Sequence, residues 1–205
     1  MDTKIIKVKG DWKEVLDDCR FTVGKPSAEK EPSAKWKKNI LISEHSPIRD
    51  ISFKWDWLNM KHWVTVHWVR HKWEKFVRTQ RSDRTMIPRD DLPQAEPQDF
   101  RGEANVQHLI DTMRKRLCFQ ASTETRKYAE DLKIAIGQAE REISDVFVPN
   151  CVYRGGCPEL MQDPKKRCRF YDTLCFAEPD ANSTDLLKRY EAYNRYFYKI
   201  HKENG

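Results

Sequence analysis

The feature that most constrains this chain is a densely basic stretch, RHKWEKFVRTQRSDR (residues 70–84), directly after the apolar, aromatic run WVTVHWV (residues 63–69). Cationic groups this close together repel one another unless anionic groups lie among them. Since the preceding run is too apolar for a free surface segment, we expect this region to border a folded core. Arg-His-Lys at its start and Ser-x-Arg ten residues later predict two phosphate-bearing ligands side by side. A solvated basic face or a nucleic-acid surface is the alternative.

Composition is typical of a soluble protein with anionic partners. At 205 residues the chain is long enough for one domain with a real core. Its net charge of +6 favours nucleotides, nucleic acid or anionic cofactors without choosing among them. No run approaches the length of a membrane span and the N-terminus carries no apolar signal region, so we expect no membrane partner, a cytoplasmic protein and reduced cysteines.

Tryptophan is unusually frequent. Five of the seven tryptophans fall between residues 55 and 73. A wide aromatic core explains them most simply, and stacking on a flat heterocycle is the functional alternative.

The first half of the chain predicts extended structure. Residues 25–38 are polar with prolines, which favours a loop. We expect Ile40–Ile42 and Ile51–Trp57 to be extended around a turn at Ser46-Pro47, because apolar and polar residues alternate in the second segment. Residues 59–75 are ambiguous between a strand, favoured by β-branched and aromatic residues, and a helix, favoured by apolar spacing. We interpret them as a helix.

The second half is predominantly helical in pattern. Residues 85–103 carry three prolines without periodicity and predict a long irregular loop. Apolar spacing predicts helices over residues 105–118 and 123–143, and an amphipathic helix over residues 183–201. Between them, residues 148–182 are rich in Pro, Gly and Cys and predict irregular structure.

That irregular segment also raises the question of zinc. The spacings within the set Cys151, Cys157, Cys168 and Cys175 are five, ten and six intervening residues. Structural zinc usually uses tighter Cys-x2–4-Cys pairs, so we interpret the four as free thiols without a metal, and zinc stays open. Arg154 precedes two glycines, which let a backbone approach a ligand closely. We therefore expect Arg154 to contact a substrate phosphate.

One helix carries polar groups along a single face. Asn105, Leu109, Thr112 and Arg116 follow steps of four, three and four residues, which places them on one line roughly 16 Å long. This pattern indicates a nucleotide-sized cleft, and an ordinary solvent face is the alternative.

Three segments together resemble the flavin-dependent thymidylate synthase (ThyX) family, in a compact form typical of bacteriophages. SEHSPIRDISFKW resembles the family's H-x-S/T-P-F-E-H motif, RHKWEKFVRTQRSDR its R-H-R-x-x-S-x-N-E-x-S-x-R-Y signature, and NVQHLIDTMRKRLCFQASTETR its N-x-R-S-L-x-x-F-x-x-x-R segment. The Asn-to-Arg spacing in the last is identical. The resemblance covers about a third of the chain.

The resemblance implies roles for individual residues. Cofactor-binding positions are Ser46, Arg70, His71, Lys72, Asn105, Gln107 and Asp111. Substrate-binding positions are Thr79, Gln80, Ser82, Arg84 and Arg116, joined by Arg154 from the preceding argument. Ser82 and Arg116 stand at the catalytic positions, because Ser82 helps to place the uracil and Arg116 favours its polarised form.

The resemblance also implies a fold and a reaction. The fold is α+β, a mostly antiparallel sheet flanked by helices, as in the thymidylate synthase-complementing proteins. The reaction is reductive methylation of dUMP to dTMP with FAD, using methylenetetrahydrofolate and NADPH as co-substrates, in a homotetramer. Alternatives are the same scaffold acting on another pyrimidine nucleotide, for example in phage base modification, and a basic nucleic-acid-binding protein without enzymatic activity.

The chain also departs from the family pattern. Two extra residues separate Lys72 from Ser82, and the helical segment after the signature is reduced to a loop. Several family residues are exchanged, at Asp50, Lys72, Thr79, Gln80, Thr85, Gln107 and Asp111. Within one domain of 205 residues we expect an N-terminal element and loop (1–38), a ThyX-like core (39–146), a Cys/Gly-rich segment (147–182) and a C-terminal helix (183–205).

Overall fold

The computed structural model describes residues 3–161 and 168–203. The chain folds into two compact units. The sheet unit comprises Met1–Glu31 and Pro47–His108, and the helical unit comprises Pro32–Ser46 and Leu109–Gly205. No helix in the described ranges combines the length and apolarity needed to cross a membrane.

The sheet unit is built on four antiparallel strands in the order β1-β2-β4-β3. The strands are β1 (Lys4–Lys9), β2 (Ser52–Lys61), β3 (Glu74–Val77) and β4 (Pro97–Asn105). Its helices are α1 (Trp12–Phe21), α3 (His62–Trp68) and α4 (Ser82–Thr85). It also contains the 3-10 turn Arg89–Asp91 and all but the first residue of the 3-10 turn Ser46–Asp50.

Tryptophans fill the buried side of this sheet. Alternation along β2 turns Phe53, Trp55 and Trp57 inward, each at most 1% exposed. Trp68 and Trp73 complete the cluster, with ring centroids 4.7 to 6.4 Å apart between neighbouring indoles. The aromatic-core interpretation of the tryptophans is therefore confirmed.

The helical unit contains the remaining helices. They are α2 (Ala34–Ile42), α5 (Val106–Arg116), α6 (Thr123–Ala139), α7 (Arg141–Asp145), α8 (Asn150–Arg154), α9 (Phe170–Ala177) and α10 (Leu186–Glu203). The division between the units falls inside α5, after His108. Further 3-10 turns lie at Pro158–Met161 and Pro179–Asn182.

The α+β prediction is confirmed, as are the strand at residues 51–57 and the helical patterns at 105–118, 123–143 and 183–201. The second of these patterns is split between α6 and α7 at Glu140, whose backbone is extended.

The extended structure expected for Ile40–Ile42 is wrong, and so is the loop over the end of residues 25–38. Both lie in α2, which begins at Ala34 because the Ser33 hydroxyl caps the backbone N–H of Trp36 at 3.3 Å. The apolar residues that suggested a strand instead bury one side of the helix, where Leu41 is 1% exposed.

The loop expected over residues 85–103 is wrong in its second half. Residues from Pro97 onward form β4, which pairs with both β2 and β3. Its inward positions are held by Gln98, Phe100, Gly102 and Ala104, so burial alternates although apolarity hardly does. Gly102 is required there because a Cβ would meet the Trp55 ring at 2.3 Å.

Two other predictions need correction. Only His62–Trp68 of residues 59–75 is helical, because β2 runs on to Lys61 and β3 starts at Glu74. The segment at 148–182 is not irregular as expected, since α8, α9 and two 3-10 turns occupy it. Residues 162–167 of that segment lie outside the described residues.

Candidate functional site

The sheet unit contains a recess of about 320 Å³, here called the Asn105 recess. It lies where β2 and β3 begin, on either side of the point where β4 ends. Its lining residues are Arg49, Ser52, Lys72, Trp73, Glu74, Glu103, Ala104, Asn105 and His108.

Strand register explains why these residues meet. Ser52 of β2 pairs with Asn105 of β4, and Glu74 of β3 pairs with Glu103 of β4. Because β3 and β4 are antiparallel, Lys72 comes level with Asn105. Two residues 33 positions apart in the sequence, taken from different motifs, therefore border one recess.

Asn105 has a defined orientation. Its Oδ1 accepts a hydrogen bond from the backbone N–H of His108 at 2.9 Å and so caps the first turn of α5. The side-chain NH₂ group is then the part left to donate toward a ligand.

The recess is lined by two cations, Arg49 and Lys72, and by two carboxylates, Glu74 and Glu103. Glu103 is held by Lys9 and by Lys54, the latter at 3.1 Å, and these lysines lower its pKa below the ordinary value. By contrast, no carboxylate among the described residues lies within ion-pair distance of Arg49 or Lys72. Arg49 and Lys72 thus have no ion-pair partner among the described residues, whereas Glu103 is paired and Glu74 remains a carboxylate of the lining. Cations without an ion-pair partner favour binding of an anion.

The other residues predicted to bind flavin are placed differently. Arg70 is exposed, and His71 is half-buried with its ring parallel to that of Trp73 at 6.2 Å. Neither lines the recess. Gln107, on α5, does not line it either. Ser46 and Asp111 belong to the helical unit, where the Asp111 carboxylate lies 3.6 Å from Arg114.

The predicted substrate loop at residues 79–84 is exposed apart from the half-buried Gln80. The Ser82 hydroxyl accepts the backbone N–H of Arg89 at 3.0 Å, and the Thr79 hydroxyl accepts that of Arg81 at 3.2 Å. Asp83 binds Arg81 through two hydrogen bonds at 2.7 and 2.9 Å.

The same carboxylate lies 3.8 Å from Arg84, and Arg78 lies 3.5 Å from Asp99. The basic stretch is therefore partly neutralised by its own Asp83 and by Asp99 of β4.

Asp50, at the position of a family histidine, is paired with another acid. Its pKa is raised to about 6, mainly by burial and then by a hydrogen bond and charge repulsion from Asp18. The Asp50 carboxyl therefore takes up a proton at a higher pH than an ordinary aspartate does.

A second cavity, the Arg116 cleft, lies within the helical unit and measures about 310 Å³. Its lining includes Arg114, Lys115, Arg116 and Asn150. Arg116 is half-buried. On the same face of α5, Leu109 is 0% and Thr112 2% exposed, so the solvent-face alternative is wrong for these positions.

Arg114 is fixed beside this cleft. It forms an ion pair with Glu44, and its guanidinium lies 3.7 Å from the centre of the Tyr153 ring. Phe119 and Phe170 form a near-parallel stack 4.1 Å apart at the cleft wall. The cleft therefore combines cationic and aromatic side chains.

The cysteines group differently from the set suggested by sequence. Cys118 joins Cys151, Cys157 and Cys168 at the Arg116 cleft, whereas Cys175 instead interacts with Tyr171. Burial raises the pKa of Cys118 and raises that of Cys151 to about 12, so both are protonated thiols. Among the described residues, no three Cys, His, Asp or Glu side chains are placed to hold a metal ion.

Arg154 is exposed, and its Nε donates to Oδ1 of Asn150 at 3.1 Å. Asn150 lines the Arg116 cleft, but Arg154 does not. The lining residues that sequence reasoning did not assign to a site include Arg49, His108 and Cys118. Arg49 and Cys118 lie inside matched segments, where the resemblance implied no role for them.

Comparison with known proteins gives no sequence relative. No protein-family model matches the chain, and no curated protein does. Similar solved structures do exist. One is ThyX from Helicobacter pylori with FAD and dUMP, with a TM-score of 0.61 and 12% identity over 72% of this chain and 100% of that one. Another is the UMP/dUMP methylase PolB from Streptomyces cacaoi with 5-Br dUMP, with a TM-score of 0.58 and 12% identity over 71% of this chain and 93% of that one.

These similarities define the class of fold. The chain has the α+β fold of the flavin-dependent thymidylate synthases. Within that class it shares its architecture with both a thymidylate synthase and a pyrimidine nucleotide methylase.

Proposed function

We propose that this protein is a flavin-dependent thymidylate synthase, which methylates dUMP reductively to dTMP with FAD, methylenetetrahydrofolate and NADPH. The observation that carries the proposal is the meeting of Lys72 and Asn105 at one recess in this fold. The two residues come from separate motifs, and nothing in their sequence positions requires them to be neighbours. Solved proteins of the same fold contain FAD and dUMP.

The recess fits the pyrophosphate group in the middle of a flavin dinucleotide. Lys72 and the Asn105 NH₂ group supply donors, and the absence of a described carboxylate partner leaves Lys72 available to an anion. At about 320 Å³ the recess accommodates only part of a dinucleotide. Bound flavin would supply the reducing equivalents of the reaction, and the folate the one-carbon unit.

The Arg116 cleft fits a uracil base. A guanidinium that donates to a uracil carbonyl stabilises negative charge as it develops on that oxygen. Phe119 and Phe170, which stack on each other, form an apolar wall of the cleft, and Lys115 adds positive charge for a phosphate. Ser82 and Arg84 are proposed to bind the nucleotide phosphate, as the family resemblance implies.

The direct test is product formation. Purified, reduced protein is loaded with FAD, its visible absorbance is recorded, and it is incubated with dUMP, methylenetetrahydrofolate and NADPH. We expect yellow protein and dTMP detectable by mass spectrometry. Protein that cannot be loaded with flavin, but binds DNA with a steep salt dependence, would instead favour the nucleic-acid alternative.

The controls omit one component at a time. dTMP that forms without added folate or reductant would contradict the proposed reaction. Arg116→Gln removes the cation proposed to contact the uracil. Its matched control is Lys127→Gln, because Lys127 is an exposed cation on α6 of the same unit. It is expected to retain full activity.

A second candidate is methylation of another pyrimidine nucleotide. The similarity to PolB favours it, because that enzyme is described as a UMP/dUMP methylase. Parallel assays with UMP, dUMP, CMP and dCMP at equal concentration separate the candidates. Preference for any nucleotide other than dUMP would replace thymidylate synthesis with this alternative.

A further inference from the structure

Arg49 is a second cation of the Asn105 recess, at a position where the quoted family motif has a glutamate. It belongs to the 3-10 turn Ser46–Asp50, which leads into β2. Pro47 and Ile48 are buried and anchor the turn, whereas Arg49 is exposed and lines the recess.

Backbone contacts bring this turn toward Asn105. The carbonyl oxygen of Ile51 accepts the N–H of Val106 at 2.9 Å, and Ser52 pairs with Asn105. Arg49 therefore comes to the recess from the β2 side, while Lys72 comes to it from the β3 side.

The acids at the recess do not neutralise these two cations. Glu103 is occupied by Lys9 and Lys54. Glu74 also lines the recess, but neither it nor any other described carboxylate lies within 4 Å of the charged nitrogens of Arg49 or Lys72. A guanidinium and an ammonium on opposite sides of a recess, with an amide donor between them, suit a phosphate group.

We propose that Arg49, together with Lys72, binds a phosphate of the flavin dinucleotide. This inference rests on the proposed flavin-dependent function and adds a binding residue to it. Gln107, at the position where the family pattern has a phosphate-binding arginine, does not line the recess. Arg49 therefore adds a cation to the recess independently of position 107.

The test compares flavins with and without phosphate. Wild type, Arg49→Gln, Arg49→Lys and the control Lys13→Gln are titrated with FAD, FMN and riboflavin, and tryptophan quenching is followed. Lys13 is an exposed cation of α1 in the same unit and does not line the recess. We expect Arg49→Gln to weaken FAD binding about tenfold or more, since charged hydrogen bonds contribute that much. Riboflavin binding should not change.

Further outcomes decide the matter. Arg49→Lys should retain part of the FAD affinity, because it keeps the charge but loses the two-pronged geometry. Equal FAD affinity in wild type and Arg49→Gln would refute the role of Arg49 and leave the proposed function standing. An equal loss of riboflavin and FAD affinity would also refute it, as a sign of structural damage. Wild-type protein that binds no flavin would overturn both proposals.

Discussion

Lys133 gives the sharpest test of the helical unit, because it is a fully buried cation. Its Nζ donates to the backbone oxygen of Ser144 at 2.6 Å and to Oδ1 of Asn194 at 2.7 Å. The rings of Phe197 and Tyr198 lie 5.1 and 5.5 Å away. A neutral amine has two N–H groups, and the site offers two oxygen acceptors, so the uncharged form is fully satisfied.

The pKa of Lys133 is lowered from 10.5 to about 7. Burial is the main cause, because it penalises the charged form; Asp145 opposes the shift and Arg141 adds to it. The unfolded chain keeps its proton up to about pH 10.5, whereas the folded chain releases it near pH 7. Since the unfolded state binds more protons between these values, stability rises with pH in that window. Below pH 7 Lys133 is protonated in both states, so its destabilising effect on the folded state is largest and no longer changes with pH.

We therefore expect the free energy of unfolding of wild type to rise by about 2–3 kcal/mol relative to Lys133→Met between pH 6 and pH 9. Urea unfolding of reduced protein, followed by far-UV circular dichroism at several pH values, measures this difference. Lys127→Met is the control, because Lys127 is exposed on the same helix. The free energy of unfolding of Lys127→Met should change with pH in the same way as that of wild type. A constant difference between wild type and Lys133→Met would refute the reasoning.

Three further predictions concern single residues. Gly102→Ala should lower the free energy of unfolding by about 1–3 kcal/mol, because the new Cβ would lie 2.3 Å from the ring of Trp55; an unchanged thermal midpoint would contradict this. Arg116→Gln should lower kcat for dTMP formation about 100-fold or more with the fold intact, and steady-state kinetics that match wild type would exclude the proposed role. Asp50→Asn should gain stability relative to wild type as pH rises from 4 to 7, because burial and Asp18 raise the folded pKa to about 6 and make ionisation unfavourable. Asp50 is exposed, so we expect less than about 1 kcal/mol in urea unfolding, and a pH-independent difference would count against the carboxyl pair.

Where side-chain chemistry and burial follow the same period, the sequence was sufficient to predict the fold. β2 was predictable because bulky Trp55 and Trp57 alternate with Lys54 and Asp56. β4 was not, since the inward positions at Gly102 and its neighbours are small or polar, and only the tertiary contact with Trp55 explains them. The local pattern of apolar and polar residues gives no information about a contact between two strands.

For the candidate sites, the sequence could indicate residue types but not every neighbour. Lys72 and Asn105 were named from motifs, and both line one recess. Arg49 was missed because its position depends on strand register between β2 and β4, which no single segment encodes. Cys118 was missed as a neighbour of the later cysteines, because α5 and the segment after Pro149 are far apart in sequence.

The indole cluster has a consequence for how this protein can be observed. Trp73 borders the Asn105 recess, and its ring lies 5.1 Å from that of Trp55 and 6.4 Å from that of Trp68. Indoles this close exchange excitation energy, so an energy acceptor beside one ring also quenches the fluorescence of the neighbouring indoles. Flavin absorbs where tryptophan emits. The sheet unit thus carries an intrinsic fluorescence reporter. One bound chromophore would quench the fluorescence of several tryptophans together, so no external label is needed.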